Sequence, residues 1–241
     1  GIIDYYDVAQ VSYEDVWLLT ILGPDIVHFH DPYFLPFALR LKNKGYKVIY
    51  DIHESYPEVF YYKRWIPKIF RGPISYFYSW YEFYVSCRID AVVSTTEHIE
   101  DRFKLRGIKS LVVRNFPKII DFEDISMLNS SKVTRLCYAG TISKGTCIKE
   151  IVDSLADIKN VELLLIGWDP EQQYFKQLKQ SKGWSKVIWK HGFKRRKVVD
   201  GISSSDIGIA LYKKRIGLGV TLSTKLYEYM ASKIPYIHHY C

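Results

Sequence analysis

A short segment near the end of the chain combines a lysine and a carboxylate in an order that suits a phosphorylated ligand. Residues 223–237 read STKLYEYMASKIPYI, and the turn with Thr224 and Lys225 opens a predicted helix that ends at residue 232. Backbone N–H groups at the start of a helix, with a lysine beside them, favour an anion such as a diphosphate. Glu228 lies one turn into this helix, where its carboxylate could accept hydrogen bonds from sugar hydroxyls.

Two histidine-bearing clusters follow predicted strands in the first half of the chain. Residues 25–31 read DIVHFHD and residues 50–54 read YDIHE. A histidine can donate to a sugar hydroxyl or accept a proton near neutral pH, so both clusters are candidates for chemistry. The alternative, a structural histidine that caps a strand end, stays open for His53 and is favoured for His28.

A metal site at the first cluster is not expected. His28 and His30 are two residues apart, so they share one face of a strand, and Asp31 is close in sequence. A third ligand at a fixed spacing is missing from the sequence, so we predict that no metal binds there.

The elements that would position these residues alternate regularly. Apolar strands followed by helical stretches predict α/β architecture, with parallel sheets covered by helices on both faces. The polar, Ser-rich residues 121–132 predict a link between two domains, 1–124 and 125–241. The predicted strands are 26–29, 48–50, 91–93, 111–113, 135–139, 161–166, 187–189 and 207–211, with one more short strand after Pro235. The predicted helices are 34–44, 73–86, 148–155, 170–180, 198–203 and 225–232.

The second half is predicted to bind its ligand at the carboxyl ends of its strands, as doubly wound sheets do. Residues 140–145 read GTISKG after the first of these strands, so Gly140 would let the backbone approach a ligand and Lys144 would neutralise phosphate charge. The loops 167–169 and 191–193 and the segment 217–228 are expected at the same edge.

Residues 60–85 are unusually aromatic and are preceded or interrupted by Lys63, Arg64, Lys68 and Arg71. A helix that is apolar on most sides either packs inside a protein or meets lipid, and basic residues beside it favour an anionic membrane surface. Both interpretations stay open at this point.

Composition limits the remaining classes. The 241-residue chain carries a formal net charge of +8, which is compatible with phosphate-bearing ligands or an anionic membrane, and no nucleic-acid motif is present. No apolar run reaches the roughly 18 residues of a spanning helix. Four cysteines far apart predict free thiols, and hence a cytoplasmic protein. With the basic aromatic segment, the inner membrane face is the alternative location at which this protein would be peripheral.

These motifs together resemble family-4 retaining glycosyltransferases of the GT-B fold. Residues 225–237 resemble the family segment K-L-x-E-Y-M-A-x-G-x-P-x-I, and residues 25–30 and 50–54 resemble D-x-V-H-x-H and Y-D-x-H-E. The resemblance implies two Rossmann-like domains that face a cleft, a nucleoside diphosphate sugar as donor, and no metal or other cofactor. The acceptor would be a glycan or a lipid-linked glycan.

The resemblance also assigns roles to particular residues. His53 would approach the transferred sugar as the catalytic residue, and the acceptor side would be lined by His30, Asp31 and Glu54. The donor would be held by residues of the second half, namely Gly140, Lys144, Thr224, Lys225, Leu226 and Glu228.

The chain also departs from the family pattern. Thr141 stands where an arginine is common, and Val220 replaces the first glutamate of a Glu-x7-Glu pair. Nothing before Asp25 matches the Gly-rich start of relatives, and the chain stops at Cys241, so we expect a protein truncated at both ends with an incomplete N-terminal domain.

The predicted function is therefore sugar transfer to a hydroxyl acceptor with retention, in the synthesis of cell-surface polysaccharide or glycolipid. Two alternatives remain: a nucleotide-sugar epimerase of the same fold, and an inactive truncated homologue that serves as a membrane or partner scaffold.

Overall fold

The computed structural model describes residues 2–5, 21–30, 32–63, 65–123, 132–169, 172–192, 194–213 and 223–240. The chain divides into two compact units, and among the described residues the division falls between Asn115 and Phe116. The predicted boundary between residues 124 and 125 lies outside the described residues, as does most of the predicted link.

The first unit contains a five-stranded parallel sheet whose strands follow one another in chain order, β1-β2-β3-β4-β5. Residues Val27, Phe29, Val48 and Tyr50 point to the buried face, since side chains alternate along a strand. The strands are β1 (Ile2–Tyr5), β2 (Ile26–His30), β3 (Lys47–Ile52), β4 (Ala91–Ser94) and β5 (Ser110–Val112).

Helices cover the buried face of this sheet. Leu35, Leu41 and Phe103 come from these helices and join the strand residues in one hydrophobic core. The α-helices are α1 (Leu35–Asn43), α2 (Tyr56–Val59), α3 (Lys68–Ser86) and α4 (Glu97–Lys104). Short 3-10 helices span Pro32–Phe34 and Phe60–Tyr62. The start of α4 follows from its sequence, because the Thr96 side chain accepts a hydrogen bond from the Ile99 amide.

The second unit contains another five-stranded parallel sheet, in the order β10-β9-β6-β7-β8. The chain runs outward from β6 to β8 and then returns to the other side of β6, so the direction of winding switches between β6 and β9. The strands are β6 (Thr134–Ala139), β7 (Val161–Gly167), β8 (Val187–His191), β9 (Ile207–Tyr212) and β10 (Tyr236–Tyr240).

Both faces of the second sheet are covered, which makes this unit doubly wound. One core cluster joins Tyr138 and Leu163 to α5 and α6, and another joins Cys137 and Leu164 to α7 and α8. The helices are α5 (Ile148–Ser154), α6 (Gln172–Leu178), α7 (Arg195–Ser203) and α8 (Thr224–Ala231). Three 3-10 helices span Ile119–Phe122, Leu155–Asp157 and Trp184–Lys186.

The structure corrects two sequence expectations. The aromatic helix begins at Lys68 rather than at Pro73, so Pro73 lies inside it and the helix lacks the hydrogen bond that this residue's missing N–H would donate. Cys147 is disulfide-bonded, whereas Cys87 and Cys137 are free. The expectation that all four cysteines are free thiols is therefore wrong, and the cysteines no longer indicate a reducing compartment. Among the described helices, none has the length and hydropathy needed to cross a membrane.

Candidate functional site

Three histidines and one aspartate meet at the carboxyl ends of β2 and β3. Asp51 is the register partner of His30 across the two strands, and His28 lies two residues before His30 on the same face. Oδ2 of Asp51 lies 3.3 Å from Nε2 of His28 and 3.3 Å from Nδ1 of His30. Nε2 of His53 lies 3.5 Å from the same oxygen and 3.0 Å from Nδ1 of His30.

The imidazoles stabilise the charged form of the Asp51 carboxylate. Burial alone would raise the pKa of Asp51, but hydrogen bonds from His28 and His53 and the charges of His53 and His30 outweigh it. The pKa of Asp51 is therefore held well below its usual value. This cluster combines one firmly ionised carboxylate with groups that can donate to, or accept from, a bound hydroxyl.

The structure brings some of the predicted acceptor-side residues together. His30 and His53 lie side by side. The backbone of half-buried His53 is held in place because its carbonyl accepts a hydrogen bond from Thr95 Oγ1 at 3.3 Å. Glu54 is exposed just after β3. Asp31 lies outside the described residues. Asp51 itself was missed as a site residue, although it lies two positions before His53 in the same motif.

A pocket of about 320 Å³ lies at the switch point of the second sheet. It is lined by the loop after β6, by the first turn of α7 and by the start of α8. The lining residues are Ala139, Gly140, Thr141, Arg195, Val198, Thr224, Lys225 and Glu228. Doubly wound sheets bind their ligands outside the carboxyl ends of the strands at such a switch point.

Glu228 is held in this pocket by an arginine that the sequence did not single out. Arg195 Nη1 donates to Glu228 Oε1, and Arg195 Nε donates to Asp121 Oδ2 at 2.9 Å. The Arg195 guanidinium also lies 5.4 Å from the centre of the Phe122 ring. Partial burial opposes the charge on Arg195, yet the hydrogen bonds to Glu228 and Asp121 raise its pKa. A sequence signal existed, because basic residues follow a predicted strand at positions 194–197.

The Lys225 side chain lines the same pocket and packs against Gly140 in the loop after β6. Its ammonium donates to Tyr212 Oη at 3.1 Å and lies 5.0 Å from the centre of the Tyr138 ring. Tyr212 Oη in turn donates to Ser223 Oγ at 2.7 Å. The charge is therefore fixed between two tyrosines, in a residue that lines the pocket.

The role of Gly140 is clearer in the structure than in the sequence. Its φ is +142°, and a Cβ atom at this position would lie 2.4 Å from Cε of Lys225. A Cβ atom at neighbouring Gly167 would lie 1.9 Å from the carbonyl oxygen of Gly140. Both glycines are needed because the two loops and the lysine pack in direct contact.

Other predicted donor residues lie differently. Lys144 is exposed and is not among the residues that line the pocket. Leu226 is buried in the core, and its amide donates to the Ser223 carbonyl at 2.9 Å. Ser223 Oγ also accepts from the Lys225 amide at 3.4 Å. A diphosphate at this helix start would therefore compete with Ser223 for these amides.

The helix α3 exposes an apolar and mostly aromatic surface, which we call the aromatic stripe. Its members are Ile69, Phe70, Tyr76, Phe77, Trp80 and Tyr84. Tyr76 is 77% exposed, Phe77 69% and Trp80 56%. Trp80 stacks on Tyr84 with ring centres 5.7 Å apart.

Of the basic residues noted in this segment, Lys63 and Lys68 are exposed. Arg71 donates to the Ile66 and Tyr61 carbonyls, and Arg64 lies outside the described residues.

The buried side of α3 explains why the aromatics face outward. Glu82 is fully buried, and its carboxylate accepts hydrogen bonds from Arg102 at 2.7 Å, Tyr50 at 3.2 Å and Tyr78 at 3.3 Å. A buried carboxylate needs such partners, so they fix which side of the helix faces the sheet. The opposite side is then left with the aromatic stripe.

Comparison with known proteins agrees with the motifs of the first half. Residues 11–123 match the family model described as Glycosyltransferase Family 4. The first half of the chain is therefore similar to family-4 glycosyltransferases, as its sequence motifs predicted. No curated protein matches the sequence significantly.

Solved structures share the fold of both units. Sucrose-phosphate synthase from Thermosynechococcus elongatus aligns with a TM-score of 0.67 at 15% identity, over 92% of this chain and 58% of that chain. HepE from Anabaena, in complex with UDP-glucose, also gives 0.67 at 15% identity, over 92% and 62%. The UDP-forming α,α-trehalose-phosphate synthase from Burkholderia xenovorans gives 0.63 at 12% identity, over 95% and 65%.

The predicted GT-B fold class is thereby confirmed. The chain spans less than two thirds of the length of each of these three structures.

Proposed function

We propose that this protein transfers a sugar from a nucleoside diphosphate sugar to a hydroxyl group of an acceptor, with retention at the anomeric carbon. The observation that carries the proposal is the pocket at the switch point of the second unit, where Lys225 and Arg195 place positive charge beside the Glu228 carboxylate. Its volume of about 320 Å³ lies within the range of small-ligand sites.

In this proposal each pocket residue has one task. The Glu228 carboxylate accepts hydrogen bonds from the ribose hydroxyls, and Arg195 orients it. Lys225, Thr224 and the backbone beside Gly140 face the diphosphate. Lys144, which is exposed on the same loop outside the pocket lining, adds positive charge. These cations, rather than a metal at the donor site, stabilise the departing diphosphate.

The first unit supplies the group that acts on the acceptor. His53 is half-exposed beside His30 and Asp51, so its imidazole can donate to, or accept from, a sugar hydroxyl. Uridine nucleotides are the first donors to test, because the HepE structures contain UDP and UDP-glucose.

We also propose that the acceptor is lipid-linked and that the aromatic stripe docks the protein on an anionic membrane face. Aromatic side chains favour the membrane–water interface, and basic residues attract anionic headgroups. The exposed Lys63 and Lys68, together with the net charge of +8, give the required complementarity. A product in cell-surface polysaccharide or glycolipid synthesis would follow from such an acceptor.

Release of nucleoside diphosphate tests the proposal. The protein is incubated with UDP-glucose, UDP-N-acetylglucosamine or GDP-mannose, with and without a bacterial membrane lipid extract, and Glu228→Ala is the matched inactive variant. We expect diphosphate release with one donor, only when lipid is present, and a labelled lipid product. Conversion of the donor sugar without acceptor would instead indicate an epimerase. Absence of any reaction by a protein that binds the nucleotide would favour the inactive scaffold.

A further inference from the structure

We propose that His28, His30 and Asp51 form a binding site for one divalent transition-metal ion of the Zn²⁺ class. The three side chains project from one face of adjacent strands, since His28 and His30 are two residues apart on β2 and Asp51 is the register partner of His30 on β3. The sequence lacked a third ligand at a fixed spacing along the chain. The sheet supplies it from the neighbouring strand.

The distances suit a small tetrahedral ion. Two ligand atoms bound to zinc at about 2.0–2.1 Å in tetrahedral geometry lie about 3.3 Å apart. Asp51 Oδ2 lies 3.3 Å from His28 Nε2 and 3.3 Å from His30 Nδ1. One ligand atom from each of the three residues lies within 4.8 Å of the others, so modest side-chain rotation would bring all three onto one ion.

The chemistry of the ligands selects the class of ion. Two imidazoles and one carboxylate match zinc sites that keep a fourth position for water or another ligand, whereas Mg²⁺ and Ca²⁺ prefer oxygen ligands. His53 Nε2, 3.5 Å from Asp51 Oδ2, is positioned near that fourth place. The side chains of His30 and Asp51 are 11% and 13% exposed, so the strands hold them firmly while an ion can still enter.

A purely structural hydrogen-bonded cluster is the alternative, and binding of Co²⁺ distinguishes the two. Protein treated with a chelator and then dialysed is titrated with Co²⁺, whose visible absorption is intense only in tetrahedral sites, and Zn²⁺ is then added as competitor. We expect saturation at one ion per chain and complete displacement by Zn²⁺. Because no sugar transfer is measured, the result is independent of the proposed transferase activity.

Substitutions locate the ion. Asp51→Asn and His28→Gln keep the approximate side-chain shapes, and each is expected to weaken Co²⁺ binding at least tenfold. His98→Ala is the matched control, because His98 pairs with Glu58 at 2.7 Å in the same unit and is not part of the cluster; it should bind as the wild type does. Circular dichroism verifies that each variant is folded, and His28→Gln alone suffices if Asp51→Asn does not fold. Absence of saturable binding by the wild type, or unchanged binding in a folded cluster variant, would overturn the proposal.

Discussion

Glu228 is oriented by Arg195, a residue 33 positions earlier in the chain that simultaneously holds Asp121. The guanidinium bridges the two carboxylates at the edge of the pocket in the second unit. This relationship turns an isolated helical glutamate into a fixed hydrogen-bond acceptor. It also makes Arg195 a positioning residue for the proposed ribose contact.

The first prediction concerns this pair. Arg195→Ala is expected to weaken nucleoside diphosphate binding by roughly 3–10-fold, because the Glu228 carboxylate loses its orientation. Arg195→Ala combined with Glu228→Gln should cost less than the sum of the two single changes, since both act through one contact. Isothermal titration calorimetry with the four proteins measures the coupling. Additive effects would mean that Arg195 does not act through Glu228.

The second prediction orders three glycine substitutions by stability. Gly167→Ala should cost the most, more than about 3 kcal/mol, because its Cβ atom would collide with the Gly140 backbone. Gly140→Ala should cost about 1–3 kcal/mol and displace Lys225, whose flexible end can move. Gly192→Ala has a φ of +109° but no atom within 4 Å, so it reports the backbone effect alone.

Urea unfolding monitored by circular dichroism gives the three free energies. A cost for Gly192→Ala equal to that of Gly167→Ala would show that the contact between the two loops is unimportant. The nucleotide affinity of Gly140→Ala should also fall, since Lys225 would leave its place between the two tyrosines.

The third prediction separates transfer from donor binding. His53→Ala should lower turnover by about 100-fold or more, as loss of a group that donates or accepts protons does. Its affinity for the donor nucleotide should change less than twofold, because the proposed donor residues belong to the second unit. His98→Ala is the control in the first unit. Full turnover by His53→Ala would make this histidine structural.

The fourth prediction tests the aromatic stripe. Phe77→Ser combined with Trp80→Ser should reduce binding to phosphatidylglycerol vesicles at least tenfold. Each substitution removes about 1 kcal/mol or more of the free energy gained when the aromatic side chain is buried in the membrane interface. Both residues are exposed, so the fold should be unaffected. Tyr33→Ser, which removes an exposed aromatic outside the stripe, is the control.

Vesicle sedimentation at two salt concentrations measures this effect. Binding should also decline as salt rises, because the basic residues contribute through screened attraction. Equal sedimentation of the stripe variant and the wild type would show that α3 does not contact lipid.

The sequence predicted the alternation of strands and helices because the spacing of apolar residues differs between a strand and a helix and is visible within each element. β6, for example, begins at Thr134 where residue 135 was predicted, and α8 begins at Thr224 where residue 225 was predicted. The strand Ile2–Tyr5 was missed. Its residues occupy a place in the sheet only through parallel pairing with β2, which no local pattern reveals.

The candidate site was predictable only as far as its residues are close in sequence. Thr224, Lys225 and Glu228 share one helix, so their proximity followed from helical spacing. Arg195 reaches Glu228 only because α7 and α8 cover the same face of the sheet. Asp51 joins His28 and His30 only through the register between β2 and β3.

The orientation of α3 could not be predicted for a related reason. Its sequence is apolar on most sides, so the hydrophobic pattern leaves the buried side undetermined. The hydrogen bonds from Arg102 and Tyr50 to Glu82 determine it, and both partners belong to other elements.

The central claim is that the pocket of the second unit binds a nucleoside diphosphate through Glu228 and Lys225. Calorimetric titration of the protein with UDP and with GDP tests it most directly, with Glu228→Gln, Lys225→Ala and the distant control Glu162→Gln, whose partner is Arg135. We predict one site per chain for at least one nucleotide, an affinity about 10–100-fold weaker in the two pocket variants, and no change in Glu162→Gln. Equal affinity in all four proteins, or no binding of either nucleotide by the folded wild type, would contradict the claim.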